Sequence, residues 1–250
     1  MNLWSDDSEQ SQMLEDSSAY ERIDSSNLRD RLRELPSHCE AAWLASMSLK
    51  ISHDNSPITN VVIAGMGGSA IAGDLLVDLA ATQHTVPITV VRDFSLPMKL
   101  DSGRLVVVCS YSGETEETIS LYHDAVQQGA RILAITNGGR LKEKADDNGD
   151  MILKIDVQSE PRSAVAYNLI LLVGAFRVLG VLTISDGEVQ RSFEILRSAL
   201  SNLTEDVSVQ DNPAKQLALL SKDKLPVILG GGIFAGMARR WKSQINENSK

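Results

Sequence analysis

The chain has 250 residues, 43% of them apolar and 23% charged, an ordinary globular composition with length for one full core and part of another. Aromatics make up only 4% and the net charge is -9, so base-stacking platforms are scarce and an acidic surface repels phosphate backbones, which argues against nucleic-acid partners. Two distant cysteines, Cys39 and Cys109, support neither a disulfide framework nor a metal site, and no metal is expected.

The start, M-N-L-W-S-D-D-S-E-Q, is polar and acidic, without the positive end and apolar stretch of an export signal, and predicts a cytoplasmic protein. Residues Met1 to about Ser25 read as poorly ordered. Helical spacing begins with Leu28, Leu32 and Leu35; Pro36 breaks it and opens a second helix through Trp43 and Met47. His53 to Pro57 is a turn-rich linker. Strands are then predicted at Val61 to Ala64, Ile88 to Val91, Leu105 to Cys109, Ile132 to Ile135 and Met151 to Ile155. Helices fall between them, through Leu75 to Leu79, Leu121 to Gln127 and Leu141 to Ala145. This alternation predicts an α/β fold, a doubly wound parallel sheet covered on both faces. Ala164 to Ile184 is apolar enough to raise the membrane question, but Asn168 and Arg177 interrupt it, so a buried helix and no membrane partner are expected. After Thr204 come one helix, a strand with a glycine turn at Val227 to Gly232, and a helix through Phe234 to Lys250, a restart of the pattern of Val61 to Gly68.

Four places carry chemistry. Ser110 to Thr118 reads S-Y-S-G-E-T-E-E-T between an apolar run and a helical pattern. A strand ending in such a turn leaves free N–H groups at the helix start and surrounds them with the hydroxyls of Ser110, Ser112 and Thr115, a phosphate cradle. The same residues suit a plain N-cap cluster, with Thr115 and Thr118 closing the first turn. Gly65 to Asp74, G-M-G-G-S-A-I-A-G-D, follows the first strand; Gly67 and Gly68 let backbone approach a sugar, and Ser69 stands at the helix start. Its first six residues also satisfy a dinucleotide pattern, with Asp93 as the ribose-binding acid, so an NAD-dependent oxidoreductase stays open. Two such loops facing one crevice nevertheless fit a single sugar phosphate better than a long dinucleotide. In S-E-P-R-S-A, Ser159 to Ala164, Arg162 puts a cation at a helix N-terminus, where either a bound anion or an ion pair with Glu160 or Asp156 offsets it. Glu247, among Asn246, Asn248 and Lys250, reads by composition as a solvated helix end.

Five blocks in order, G-M-G-G-S-A-I-A-G-D, V-V-R-D-F-S-L-P, S-Y-S-G-E-T-E-E-T, P-R-S-A and R-R-W-K-S-Q-I-N-E-N-S-K, resemble the bifunctional phosphoglucose/phosphomannose isomerases, built from two sugar isomerase (SIS) domains. The resemblance runs from about Asn27 to Lys250. It implies that Ser110, Ser112 and Thr115 hold the sugar phosphate, that Ser69 and Arg162 help to position it, and that Glu247 is the catalytic base. It further implies interconversion of glucose or mannose 6-phosphate with fructose 6-phosphate without metal or organic cofactor, and a homodimer in the complete protein. Glu114 stands where an asparagine is frequent in such loops, which leaves its part in holding the ligand as the open point. A ring-opening histidine is implied beyond Glu247, whereas His38, His53, His84 and His123 all precede it. The sequence is therefore expected to be an incomplete copy: 1–56 a tail and helices, 57–203 a first SIS domain, 204–250 the start of a second. A sugar-phosphate-binding SIS module without catalysis is the alternative from another class.

Overall fold

The computed structural model describes residues 7–51, 56–83, 85–97, 99–100, 103–157 and 163–248. Its centre is a five-stranded parallel sheet of β1 (Asn60–Gly65), β2 (Ile88–Val91), β3 (Arg104–Ser110), β4 (Arg131–Thr136) and β5 (Met151–Lys154), in the order β2-β1-β3-β4-β5. All pairings are parallel, with Gly65 opposite Cys109 and Ser110 opposite Thr136. Strand order reverses between β1 and β3, because β2 lies on one side of β1 and every later strand lies on the other. The predicted doubly wound α/β sheet is thus the observed one.

Period-two alternation along each strand assigns the faces. Val62, Ala64, Val106 and Val108 share a buried cluster with Leu121, Tyr122 and Ala125 of α6 (Glu116–Gln127) and with Leu141 and Ala145 of α7 (Gly139–Asn148). Ile63, on the opposite face, stands against Gly73 of α5 (Gly67–Ala81), which packs with α8 (Val165–Val178). The apolar helix is shorter than its sequence run. Gly180 takes φ 73, and the Val181 N–H returns to the Phe176 carbonyl at 2.8 Å, closing the C-terminus as a glycine stop does. Among the described residues no helix is long and apolar enough to cross a membrane. Burial pushes the Cys39 thiol up to about 11 and Cys109 up to about 12, so neither supplies a thiolate near neutrality.

Chain contacts separate two compact units, residues 1–36 with 185–227, and 37–184 with 228–250. The first unit corrects the expectation of a poorly ordered start: α1 (Asp7–Glu15) and α2 (Ser17–Ile23) form within it, followed by α3 (Leu28–Arg33). Asp16 caps α2 by accepting the Ser18 N–H at 3.0 Å, and Ala19 is buried. Cations fix Tyr20, with Arg29 and Lys215 over its ring at 5.8 and 5.7 Å. The same unit holds α9 (Asp186–Ser201), opened by a Ser185/Glu188 capping box, and α10 (Pro213–Ser221), capped by Asn212.

The second unit holds the sheet, α5 to α8, most of α4 (Leu35–Met47), and α11 (Ala235–Asn248). Pro36 lies in the first turn of α4, as the sequence predicts. The predicted strand at Val227 to Gly232 does not form: the segment is irregular and leads into a 3-10 turn, Gly232–Phe234. No neighbouring strand stands beside it among the described residues, and an unpaired strand has no ladder to hold it. Apolar side chains in and around it remain in water, with Leu225 88%, Val227 72% and Leu229 89% exposed, and Phe234 and, on α11, Trp241 exposed as well. We expect the chain to self-associate in light scattering as concentration rises, and Leu225→Lys with Leu229→Lys to suppress this. A strictly monomeric wild type would contradict the expectation.

Candidate active site

Both predicted loops leave the C-terminal edge of the sheet from adjacent strands. Gly65 ends β1 beside Cys109, and Ser110 ends β3 one residue later, so the loops flank the point where strand order reverses. Ligands of open α/β sheets bind in the crevice at that point.

The loop after β3 is built around Ser110, 2% exposed, whose hydroxyl donates to Thr115 Oγ1 at 3.1 Å and accepts the Gly113 N–H at 3.1 Å. Ser112 is exposed, and its Oγ accepts the Glu114 N–H at 3.1 Å. Neighbouring backbone pins the loop from outside: the Leu141 N–H donates to the Gly113 carbonyl at 3.0 Å and the Asn137 N–H to the Tyr111 carbonyl at 3.1 Å. The Tyr111 hydroxyl ties down the other flank, donating to the Val157 carbonyl at 2.6 Å. Thr115 is the N-cap of α6, yet its side chain caps no N–H, and the buried Thr118 hydroxyl has no partner. Thr115 thus holds the N-cap position without a side-chain cap bond, while Ser110 and Ser112 accept local N–H groups. An anion at this helix start would meet N–H groups that no side chain caps.

Across the crevice, Gly67 opens α5 with φ 50 in open space, Gly68 follows, and Ser69 is buried with its N–H on the Met66 carbonyl at 3.1 Å. No side chain caps this helix either. Glu114 points away from the ligand role. Its carboxylate accepts the Arg140 N–H at 2.8 Å and Arg140 Nε at 2.6 Å, and the Arg140 hydrogen bonds hold its carboxyl below the usual range. Sequence reasoning passed over Arg140; the charge contrast with Glu114 and Glu116 was its only signal.

The remaining predicted residues lie elsewhere. Arg162, with Glu160, falls outside the described residues. Asp156 is exposed and pairs with Lys154 at 3.4 Å. Asp93 is exposed and spends its carboxylate on the Phe94 N–H at 2.7 Å. Glu247 is exposed near the end of α11, a helix packed on α5, and its charge opposes the lowering of the Arg240 pKa by burial. The cavity of about 550 Å³ lined by Ile51, Pro57, Val86, Arg131 and Gly180 sits by the residues that precede the strands, at the opposite edge of the sheet. It is not this site.

The family model described as the bacterial phospho-glucose isomerase C-terminal SIS domain matches residues 210–250. A bifunctional phosphoglucose/phosphomannose isomerase of Caldicellulosiruptor bescii is 39% identical over 217 residues, 86% of this chain and 64% of the relative. One from Thermoplasma acidophilum is 34% identical over 225 residues, 86% of this chain and 66% of the relative. Among solved structures, the C-terminal domain of glucosamine-fructose-6-phosphate aminotransferase from Francisella tularensis aligns with TM-score 0.61 at 18% identity, over 88% of this chain and 66% of that one. That likeness shows the fold alone. This chain spans less than two thirds of the length of these curated relatives. By sequence the chain is similar to the bifunctional phosphoglucose/phosphomannose isomerases over 86% of its length, and its residues 210–250 match an SIS-domain model of that kind.

Proposed function

We propose that this chain serves aldose-ketose isomerisation of hexose 6-phosphates, glucose or mannose 6-phosphate to fructose 6-phosphate. The observation that carries the proposal is the pinned hydroxyl loop Ser110 to Thr115 beside Gly67 to Ser69 at the reversal of strand order. Ser110, Ser112 and Thr115 hold the phosphate, while Ser69 and the glycines admit the sugar, with Arg162 assigned to help. Glu247 acts as the base: it takes the C2 proton of the open aldose and returns it to C1 through an enediol, while the hydroxyl proton passes from O2 to O1. No metal enters these steps. The phosphate orients the sugar from several bonds away, so its binding lowers the barrier by positioning.

The level of Glu247 supports this reading. Gly236 meets Asp78 and Arg239 meets Asp74, so α11 advances along α5 toward the end bearing Gly67. Eight residues from Arg239 to Glu247 rise about 12 Å, and seven from Asp74 back to Gly67 about 10 Å. Base and phosphate loops then share one end of the unit. The match of residues 210–250 to a C-terminal SIS model supports reading 204–250 as the opening of a second domain, and 57–203, which holds the sheet and both loops, is assigned as the ligand-binding one. We assign the protein to the cytoplasm, as a homodimer without nucleic-acid partners.

Titration with fructose 6-phosphate, fructose and NAD, followed by thermal shift, tests the site. Ser112→Ala or Thr115→Val is expected to weaken fructose 6-phosphate binding by about 1 to 3 kcal/mol, the scale of a hydrogen bond to a charged group. Equal affinity for fructose and its phosphate would sink the cradle, and binding of NAD alone would restore the oxidoreductase reading.

A further inference from the structure

Two carboxylates of α5 face the start of α11. Asp74 and Asp78 stand four residues apart and share one side of their helix. The Gly236 N–H donates to Asp78 Oδ2 at 2.6 Å, and Arg239 Nη1 pairs with Asp74 Oδ1 at 3.0 Å. The other oxygen of Asp74 pairs with Arg92, which also donates to the Ala70 carbonyl at 3.2 Å. Gly236 is buried, and a Cβ there would stand 3.0 Å from the Asp74 carbonyl carbon, the Leu75 nitrogen and Asp78 Oδ2. The two backbones therefore meet with no side chain between them.

We infer that Asp74 and Asp78 form a latch that fixes the pitch of α11 on α5 and so aims Glu247, which makes both aspartates positioning residues. Asp78 satisfies an N–H that a helix start leaves orphaned, at the end where negative charge is favoured. Asp74 is 7% exposed and joins α11 to Arg92, which in turn grips the first turn of α5 next to Ser69. Leverage makes the latch matter. The eleven residues from Gly236 to Glu247 span about 16 Å, so a tilt of roughly 10° at the latch moves the carboxylate by about 3 Å. An error of about 1 Å already costs on the order of a hundredfold in a positioned reaction. The aiming of a base rests on the isomerase reading; the latch itself does not.

The test compares the wild-type chain with Asp78→Ala, Arg239→Ala and Arg239→Lys. Arg239 is 59% exposed, so its variants keep the question answerable should Asp78→Ala fold poorly. Amide hydrogen exchange across Ala235–Asn248 is expected to quicken about tenfold or more in Asp78→Ala. It quickens about threefold in Arg239→Ala, and Arg239→Lys restores most of the protection. Fructose 6-phosphate affinity stays within about twofold, because the phosphate loop keeps its own hydrogen bonds. Where deuterium enters C1 of the sugar, kcat falls in Arg239→Ala with KM unchanged, and lysine rescues it. Unchanged exchange of α11 in both alanine variants would overturn the latch, and a change confined to KM would overturn the positioning role. A wild type that fails to bind fructose 6-phosphate would refute the isomerase reading and leave the exchange result to judge the latch alone.

Discussion

Gly113→Ala is expected to lose folding stability and fructose 6-phosphate binding together, whereas Gly129→Ala loses only stability. Both glycines sit in the left-handed region, at φ 70 and φ 66. Any L residue there carries a strain of about 1 kcal/mol. The difference lies in what a methyl group meets. At Gly129 it enters open space, while at Gly113 it collides with the Gly138 carbonyl. That carbonyl belongs to the loop after β4, which is locked to the hydroxyl loop by the Leu141 N–H on the Gly113 carbonyl and by Arg140 on Glu114. Relief of the clash pushes the two loops apart and pulls the Gly113 N–H from Ser110 Oγ, the bond that orients the buried serine. Strain and overpacking together amount to about 2 to 4 kcal/mol, against about 1 kcal/mol for the control. Urea midpoints and ligand titrations of both variants decide the matter. Indistinguishable behaviour would show that the loop contact does not shape the cradle.

The sheet was legible because its signal is local. Runs such as Leu105 to Cys109 are bounded by turn residues, and the observed strands differ from the predicted ones by at most one residue at either end, β5 stopping at Lys154 instead of Ile155. The order of the strands was not legible from any single run, but the wish for two loops on neighbouring strands demanded that β1 and β3 pair, as they do. Misses came where tertiary context decides. The helices of Asp7–Ile23 depend on Tyr20 meeting Arg29 and Lys215, one of them nearly two hundred residues away, which no window of sequence contains. Val227 to Gly232 has the composition of a strand and has no strand beside it among the described residues, so composition predicted what pairing withholds. In the candidate site, hydroxyl spacing singled out Ser110, Ser112 and Thr115, which the structure places in one loop, whereas the clasp of Arg140, in the first turn of α7, on Glu114 had only a charge contrast as its signal. Asp74 was in view throughout as the last letter of a glycine-rich block. Its charge had no visible purpose until α11 folded against it.

Glu247→Gln is expected to abolish proton transfer while leaving fructose 6-phosphate binding intact. The substitution keeps the shape and removes the basic oxygen, so a positioned base should lose about 10² to 10⁴ of the rate. Binding is spared on this proposal because the phosphate is assigned to Ser110, Ser112 and Thr115, which lie on another element. In the 250-residue chain the Glu247 carboxylate stands in water, and a base works best where the cleft excludes solvent and holds it to a fixed geometry. Proton exchange by this chain alone is therefore expected to be slow even with glutamate present. The full effect is best read in a chimera that joins the chain to the part of the Caldicellulosiruptor bescii relative that it does not cover. There, incorporation of solvent deuterium at C1 of fructose 6-phosphate should be rapid for glutamate and nearly lost for glutamine at the same ligand affinity. Retained exchange in Glu247→Gln would move the base to another residue. Binding without exchange in the chimera that still carries glutamate would favour a sensor of sugar phosphates over an enzyme.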